Sequence, residues 1–164
     1  MFKNVSMNVK QMGSYIIIIL FFIVITDVSY NNVNHLRDQT ITIGKTDVPR
    51  IVLVANLTEA FTRIGQNTTK HGFERTVDEK AEIETLINED MANLNKTLKA
   101  MRKLKNTNKD KKLLNEFSIN FEQYSGALSS FLKESRINNY ETIHTQLNEL
   151  NRISDTNNDL LNKL

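Results

Sequence analysis

Residues 11–26 read QMGSYIIIILFFIVIT, an uncharged run that sets the organisation of the whole chain. At 1.5 Å per helical residue the run covers about 24 Å, less than the roughly 30 Å hydrocarbon core of a bilayer, so flanking residues must complete a membrane span. Lys10 can snorkel at one end, and apolar residues continue to Tyr30 at the other. The sequence therefore predicts a transmembrane helix over residues 11–30.

The charges on either side of this run predict its orientation. Lys3 and Lys10 precede the run, whereas Asp27 is the first charge after it. No further Lys or Arg follows until Arg37, so by the positive-inside rule the N-terminus lies in the cytoplasm and the rest of the chain outside it. A cleaved secretory signal is the alternative, since it also has a basic start and an apolar centre, but residues 27–30 form a poor cleavage site.

The composition narrows the class of protein. The chain has 164 residues, enough after the anchor for one four-helix core. A net charge of +2 gives no case for a nucleic-acid partner. The absence of cysteine excludes disulfides, thiolate catalysis and most structural zinc sites.

Beyond the anchor, apolar residues recur at spacings of three and four, which is typical of helices that bury one stripe. The four stripes are Ile51, Val54, Leu57, Thr58, Phe61, Ile64 and Gly65; Ile83, Ile87, Met91, Leu94, Leu98 and Met101; Leu113, Phe117, Phe121, Tyr124, Leu128 and Phe131; and Ile143, Leu147, Leu150, Ile153, Leu160, Leu161 and Leu164. No stretch alternates with a period of two, so strands are not expected. The pattern predicts an all-α protein, in which the transmembrane helix is followed by an up-down four-helix bundle over residues 31–164.

Three breaks separate the stripes. Gly72 can close a helix in the left-handed conformation, and Thr76 begins a capping-box pattern with the glutamate three residues later. Residues 106–110, NTNKD, compete for backbone hydrogen bonds and mark the second turn. Asn138 repeats the capping pattern at the third. Pro49, the only proline, either begins a new helical segment or kinks one long helix that leaves the membrane.

This order of parts resembles the N-terminal portion of bacterial methyl-accepting chemotaxis proteins. The parts that carry the resemblance are a short basic N-terminus, a membrane helix, a long first helix with a proline about a third of the way along, and three further amphipathic helices of similar length. The segment NHLRDQTITIGKTDVPRIVLVANL, residues 34–57, is similar to the beginning of their ligand-sensing domain. The resemblance implies a periplasmic or extracellular sensor that usually dimerises. We expect the dimer to form through the first helix, where Ile41, Ile43 and Val48 would otherwise be partly exposed. In the family the last helix continues into a second membrane helix, a relay module and a methylated cytoplasmic hairpin that controls a histidine kinase.

The helix lengths predict that the last helix is incomplete. A first helix that leaves the bilayer near Tyr30 and ends near His71 climbs about 60 Å, whereas a fourth that starts near Asn139 has descended about 39 Å at Leu164. On this geometry we expect a receptor that is cut short before its output module, as a gene fragment or a natural truncation.

Three basic residues are candidates for ligand binding at the membrane-distal end: Arg63, Lys70 and Arg75. The first two are seven residues apart on one helix face, and the third follows across the turn. A guanidinium suits bidentate recognition of a carboxylate, so a small anionic ligand would fit them. Both helix residues point away from the buried stripe, so an ordinary solvated face or a contact with a second subunit is the alternative.

The run MRKLKNTNKDKK, residues 101–112, is strongly basic and lies at the membrane-proximal end of the predicted bundle. Contact of Arg102, Lys103 and Lys105 with anionic headgroups would contribute about 1 kcal/mol per base near the surface. The alternative is a solvated loop whose cations compensate the dipole of the preceding helix.

The remaining features predict structure rather than chemistry. The aromatic stripe of the third helix is interpreted as core packing. His35, His71 and His144 lack metal-ligand spacing and are interpreted as surface residues. Asn157 falls on the fourth stripe, where a buried Asn would fix register or dimer partner, although a fraying end is an equal alternative.

No nucleophile and base pair, Gly-rich phosphate loop or acidic metal cluster stands out, so neither catalysis nor a metal or cofactor is predicted. The favoured function is the sensing portion of a chemoreceptor, single-pass in the cell membrane, with residues 1–10 cytoplasmic and residues 31–164 extracytoplasmic. One alternative is the same input domain on a histidine kinase or cyclic-nucleotide enzyme. Another is a membrane-tethered helical interaction protein that senses nothing.

Overall fold

The computed structural model describes residues 7–164, apart from the side chains of residues 8–10, and the described chain is helical without strands. Its elements are α1 (Met7–Thr42), a π-helical turn (Ile43–Asp47), α2 (Val48–Phe73), α3 (Val77–Lys103), α4 (Asn108–Arg136) and α5 (Tyr140–Leu161). The chain divides into two compact units, one ending at Lys45 and the other spanning residues 46–164. The all-α prediction is confirmed.

The first unit contains the apolar helix α1. Every side chain from Ile16 to Ile25 is at least half exposed, so the apolar run packs against nothing in its own unit. It belongs to the one helical segment of residues 7–164 that is long and apolar enough to cross a membrane, with a mean hydropathy of 2.2. A helix that is apolar on all sides belongs in a core or in a membrane, and a signal sequence has the same length and composition.

Pro49 lies in the first turn of α2, directly after the π-helical turn. Proline has no backbone N–H, and the first turn of a helix is where that N–H has no intrahelical acceptor. The residues before α2 are themselves helical, with φ −75° and ψ −46° at Asp47, so both roles that the sequence left open for Pro49 stay open.

The second unit is a four-helix bundle in which α2 packs chiefly on α3, and α4 on α5. The predicted stripes form its core, whose buried members are Leu57, Ala60, Phe61, Ile64, Ile83, Ile87, Leu94, Leu98, Met101, Leu113, Leu114, Phe117, Phe121, Tyr124, Leu128, Phe131, Ile143, Leu150, Ile153, Leu160 and Leu161. Ile51 is an exception, since it is 68% exposed. It lies about 120° around the helix from Leu57, outside the buried face.

Four rings make an aromatic layer in the middle of the bundle: Phe61, Phe117, Phe121 and Tyr124. The Phe61 ring meets Tyr124 edge-on with centroids 5.1 Å apart, and it meets Phe117 at 6.2 Å. Edge-to-face contacts of this kind add about 0.5–1.5 kcal/mol beyond area burial. The interpretation of the aromatic stripe as core packing is confirmed.

The turns confirm some capping predictions and correct others. Thr76 caps α3, because its hydroxyl accepts from the Glu79 N–H at 3.4 Å. Thr107 and Asp110 form a full capping box at the start of α4, with reciprocal bonds of 2.9 and 3.2 Å. The prediction for Gly72 is wrong in mechanism, because no glycine of the described chain has a positive φ. Instead, a Cβ at Gly72 would lie 3.0 Å from the Phe131 ring, so close packing is what requires glycine there.

The prediction that Asn138 caps α5 is also wrong. Asn138 has φ 55° and closes α4 instead. Its N–H donates to the Ser135 carbonyl at 3.0 Å, and the Asn139 N–H donates to the Glu134 carbonyl at 3.2 Å, which is the bond pair of a Schellman motif. Asn139 is the N-cap of α5 and makes no side-chain cap bond.

Candidate functional site

A polar cluster with three buried members, His71, Lys80 and Ser135, joins three helices at the end of the bundle that carries the α2–α3 and α4–α5 turns. Its members are His71 in α2, Lys80 and Glu84 in α3, and Ser135, Arg136 and Asn138 at the end of α4. Helix ends bring backbone N–H and C=O groups without intrahelical partners to this place, and polar side chains can satisfy them. The cluster is therefore built on the local chemistry of helix termini.

His71 is at the centre of the polar cluster, and its prediction as a surface residue is wrong. The side chain is 0% exposed. Nδ1 lies 2.8 Å from Ser135 Oγ, and Nε2 lies 3.0 Å from Glu84 Oε1. The missed signal is phase, because His71 follows the buried Ile64 by seven residues, two turns along the same face. His35 and His144 are exposed, as predicted.

The charges around the imidazole act in opposite directions. Burial lowers the pKa of His71, and the positive charges of Lys80 and Arg136 lower it further, whereas the hydrogen bond and charge of Glu84 raise it. Burial is the largest of these causes, so the pKa of His71 lies below its ordinary value. The folded protein therefore favours the neutral ring.

Glu84 is held by a bidentate pair with Arg136. Arg136 Nε donates to Oε1 at 2.7 Å and Nη2 donates to Oε2 at 2.6 Å. This hydrogen bonding is the largest cause that lowers the pKa of Glu84, with a further contribution from His71, while burial opposes it. The carboxylate is ionised near neutral pH and can act only as an acceptor.

Lys80 places a buried cation against the end of α4. The residue is 2% exposed, and Nζ donates to the Ser135 carbonyl and, at 2.7 Å, to Asn138 Oδ1. Burial lowers the pKa of Lys80. A cation at a helix C-terminus interacts favourably with the unpaired carbonyls there. Lys80 thus ties the first turn of α3 to the Schellman turn of α4.

The three candidate ligand-binding residues have different surroundings. Arg63 donates to the buried Asp90 of α3 and lies 3.8 Å from Glu59, so its guanidinium is already paired. Lys70 and Arg75 are exposed, and neither makes an ion pair within residues 7–164. Beside Arg63 runs a groove of about 370 Å³ between α2 and α3. Its lining includes Asn56, Glu59, Asn93, Lys96 and Thr97.

The candidate membrane-surface residues lie at the opposite end of the bundle. Arg102, Lys103 and Lys105 are exposed. Arg102 donates to Ser118 Oγ at 2.7 Å, and the Lys105 carbonyl accepts from Arg50 at 2.9 Å. The bond from Arg50 therefore holds the basic loop against the start of α2.

Asn157 is buried on α5, as the fourth stripe suggested. It is 0% exposed, and neither atom of its amide has a hydrogen-bond partner within the described chain. Its role in register or dimerisation remains a prediction.

Comparison with known proteins bears on these observations directly. The model of a family described as a four helix bundle sensory module for signal transduction matches residues 4–164. No curated protein and no solved structure matches the chain. The family is a sensory module rather than a catalytic domain, and the resemblance to the sensing part of methyl-accepting chemotaxis proteins is confirmed. No group of three or more metal-ligating side chains occurs in the described residues. With a match across nearly its whole length and a bundle of the same architecture, the chain belongs to the family of four-helix-bundle sensory modules for signal transduction.

Proposed function

We propose that the chain is the extracytoplasmic sensing portion of a membrane-anchored chemotaxis receptor. One observation carries the proposal: a four-helix sensory module with its own core follows, in the same chain, a helix whose apolar side chains are exposed on all sides. Such a helix is stable in a bilayer and not in water. The positive charges of Lys3 and Lys10 support an orientation with the bundle outside.

Signalling in such a module is a shift of packed helices by an ångström or two, which a membrane helix carries inward. The contacts of α5 support this helix as the one that moves. Within the described residues, no side chain of α5 makes a hydrogen bond or ion pair to another helix. Apolar contacts are non-directional, so a small slide of α5 breaks no specific bond.

The outer face of α2 supports a homodimer through this helix. Residues on that face are Val48, Ile51, Val52, Ala55, Glu59, Thr62, Gln66, Thr69, Lys70 and Phe73, all of them exposed. Only two of these are charged, although helix faces in contact with water usually carry many charges. Phe73 and Ile51, at 74% and 68% exposure, would gain most from a second copy of this face.

Single cysteines test both parts of this proposal, because the natural chain has none. Ala55→Cys lies on the outer face of α2, and Ala92→Cys lies at an exposed position of α3. In intact cells a membrane-impermeant maleimide should label Ala92→Cys, and failure to label it unless the cells are opened would refute the orientation. Mild oxidation should cross-link Ala55→Cys into dimers and leave Ala92→Cys monomeric. Equal cross-linking at both positions would refute the α2 interface.

A further inference from the structure

One hydroxyl group in the polar cluster has two acceptors on the same residue. Ser135 Oγ lies 2.8 Å from Nδ1 of His71 and 3.0 Å from the backbone carbonyl oxygen of His71. The Arg75 N–H, which would reach that carbonyl in a longer helix, donates instead to the Glu74 carboxylate. A hydroxyl has one hydrogen, so Ser135 cannot serve both acceptors at once.

The neutral imidazole leaves one of these acceptors unsatisfied. Glu84 is ionised by its pair with Arg136, so Nε2 must carry the hydrogen that lies between His71 and Glu84. Nδ1 of the neutral ring is then a bare acceptor and takes the hydrogen of Ser135. The carbonyl of His71 is left without that donor in a buried place, which is unfavourable.

A protonated imidazole satisfies every group. Nδ1–H donates to Ser135 Oγ, the hydroxyl hydrogen turns to the His71 carbonyl, and Nε2–H still donates to Glu84. The only covalent change is the transfer of one proton from solvent to Nδ1. The hydrogen-bond geometry of the site thus favours the imidazolium ion, in opposition to its burial.

Charged and polar groups face the ring from both neighbouring helices. Glu84 and Lys80 face it from α3, and Arg136 faces it from α4. From α5, Ile143 packs beside Gly72, the residue next to His71. One more positive charge at His71 is repelled by Lys80 and Arg136, and these two side chains hold α4 to α3. Proton binding is therefore coupled to the contact between the two helices.

We propose that His71 is a proton-binding site through which this sensory module responds to external acidity. The proposal rests on the extracytoplasmic location proposed above. When His71 takes up the proton, the hydroxyl hydrogen of Ser135 turns from Nδ1 to the His71 carbonyl. The added positive charge also weakens the contacts by which Lys80 and Arg136 hold α4 to α3. The stimulus is the proton itself, so the site needs no cavity for a ligand.

Nuclear magnetic resonance of the full chain in detergent micelles, with 13C- and 15N-labelled histidine, tests this directly. The chain has three histidines, so single His→Gln variants assign the signals. His71 should be the Nε2–H tautomer at pH 8, and it should titrate with a midpoint below the ordinary histidine value. The amide signals of Glu84 and Asn138 should move with the same midpoint. An Nδ1–H tautomer, an ordinary midpoint, or no titration down to pH 5 would overturn the proposal.

Two variants separate proton binding from general structure. His144→Gln changes an exposed histidine and should leave the transition in place, whereas His71→Gln should remove it. Ser135→Ala should move the midpoint to still lower pH, because the imidazolium loses the acceptor of its Nδ1–H. An unchanged midpoint in Ser135→Ala would overturn the hydroxyl mechanism even if His71→Gln fails to fold. The titration and the labelling of Ala92→Cys can also disagree. If His71 titrates as expected but Ala92→Cys is not labelled from outside, proton binding is confirmed and its assignment to external acidity is overturned.

Discussion

Two helices of the bundle, α3 and α5, are both amphipathic and are held in place by different kinds of contact. Polar side chains along α3 reach both neighbouring helices: Glu84 contacts α2 and α4, Asp90 contacts α2, and Lys80 contacts α4. The N-terminus of α3 is capped by Thr76. Each of these bonds has a direction and a length, so together they specify the position of α3 along its own axis.

The helix α5 has none of these ties in the described chain. Its contacts with the bundle are made by apolar residues such as Leu150 and Ile153. Its N-cap residue Asn139 makes no side-chain cap bond, and the Asn139 amide donates instead to the Glu134 carboxylate of α4 at 2.8 Å. Two of its polar side chains, the half-buried Gln146 and the buried Asn157, have buried atoms without a hydrogen-bond partner in the described chain. The axial position of α5 is therefore less firmly specified than that of α3. This difference supports the proposal that α5 is the helix that moves and α3 the helix that stays in place.

The largest effect is expected where α5 depends on apolar contact alone. Leu150 is 2% exposed, so Leu150→Ala should lower the free energy of unfolding by about 2–5 kcal/mol. Leu86→Ala, the same substitution on α3 at 46% exposure, is the control and should cost less than about 1 kcal/mol. Urea unfolding of a fragment spanning residues 46–164 measures both. Equal losses would mean that α5 is not held by its core stripe.

A smaller loss is expected when a polar tie of α3 is removed. Lys80→Met keeps most of the aliphatic stem but leaves Asn138 Oδ1 and one lone pair of the Ser135 carbonyl unpaired, so it should cost about 1–3 kcal/mol. Lys96→Met, on an exposed position of the same helix, is the control and should change stability by less than about 0.5 kcal/mol.

Hydrogen exchange locates the effect of Lys80→Met in the same fragment. Exchange should accelerate at the end of α4, in residues 134–139, and remain unchanged in the middle of α5. Faster exchange throughout α5 would contradict the separation between the polar ties of α3 and the apolar contacts of α5.

The apolar contacts of the bundle can be predicted from the sequence. Periodicity identifies residues such as Leu94, Phe121 and Ile153 because burial of one helix stripe depends only on spacing along the chain. The exception, Ile51, lies off the face by about 120°, an error of phase at the start of a stripe.

The polar contacts between helices cannot be predicted in the same way. Arg63 was correctly placed away from the buried stripe, yet its long side chain reaches Asp90 on the next helix, and no spacing rule along one helix reveals that pair. Asn138 matches both a cap and a left-handed turn, and only the backbone decides between them. The residue type of His71 does not indicate burial, whereas its phase with the buried Ile64 does. The predicted bundle is therefore more complete than the predicted site.

The smallest effect is expected at two glycines of α2, which test the contact between α2 and its neighbours at the polar end. At Gly72 a new Cβ would lie 3.0 Å from the ring of Phe131, which is fully buried, and 3.6 Å from Ile143 of α5. Overpacking of this kind costs about 1–3 kcal/mol, and the higher helix propensity of alanine returns about 0.5–1 kcal/mol. Gly72→Ala should therefore destabilise the fragment by about 1 kcal/mol.

At Gly65 a Cβ meets nothing within 4 Å, so Gly65→Ala should stabilise the fragment by about 0.5–1 kcal/mol. Thermal melts of the two variants should thus shift in opposite directions from the natural sequence. Stabilisation by both would show that the Phe131 ring of α4 yields to the added methyl group, so that the flexibility at the polar end would lie in α4 rather than in α5.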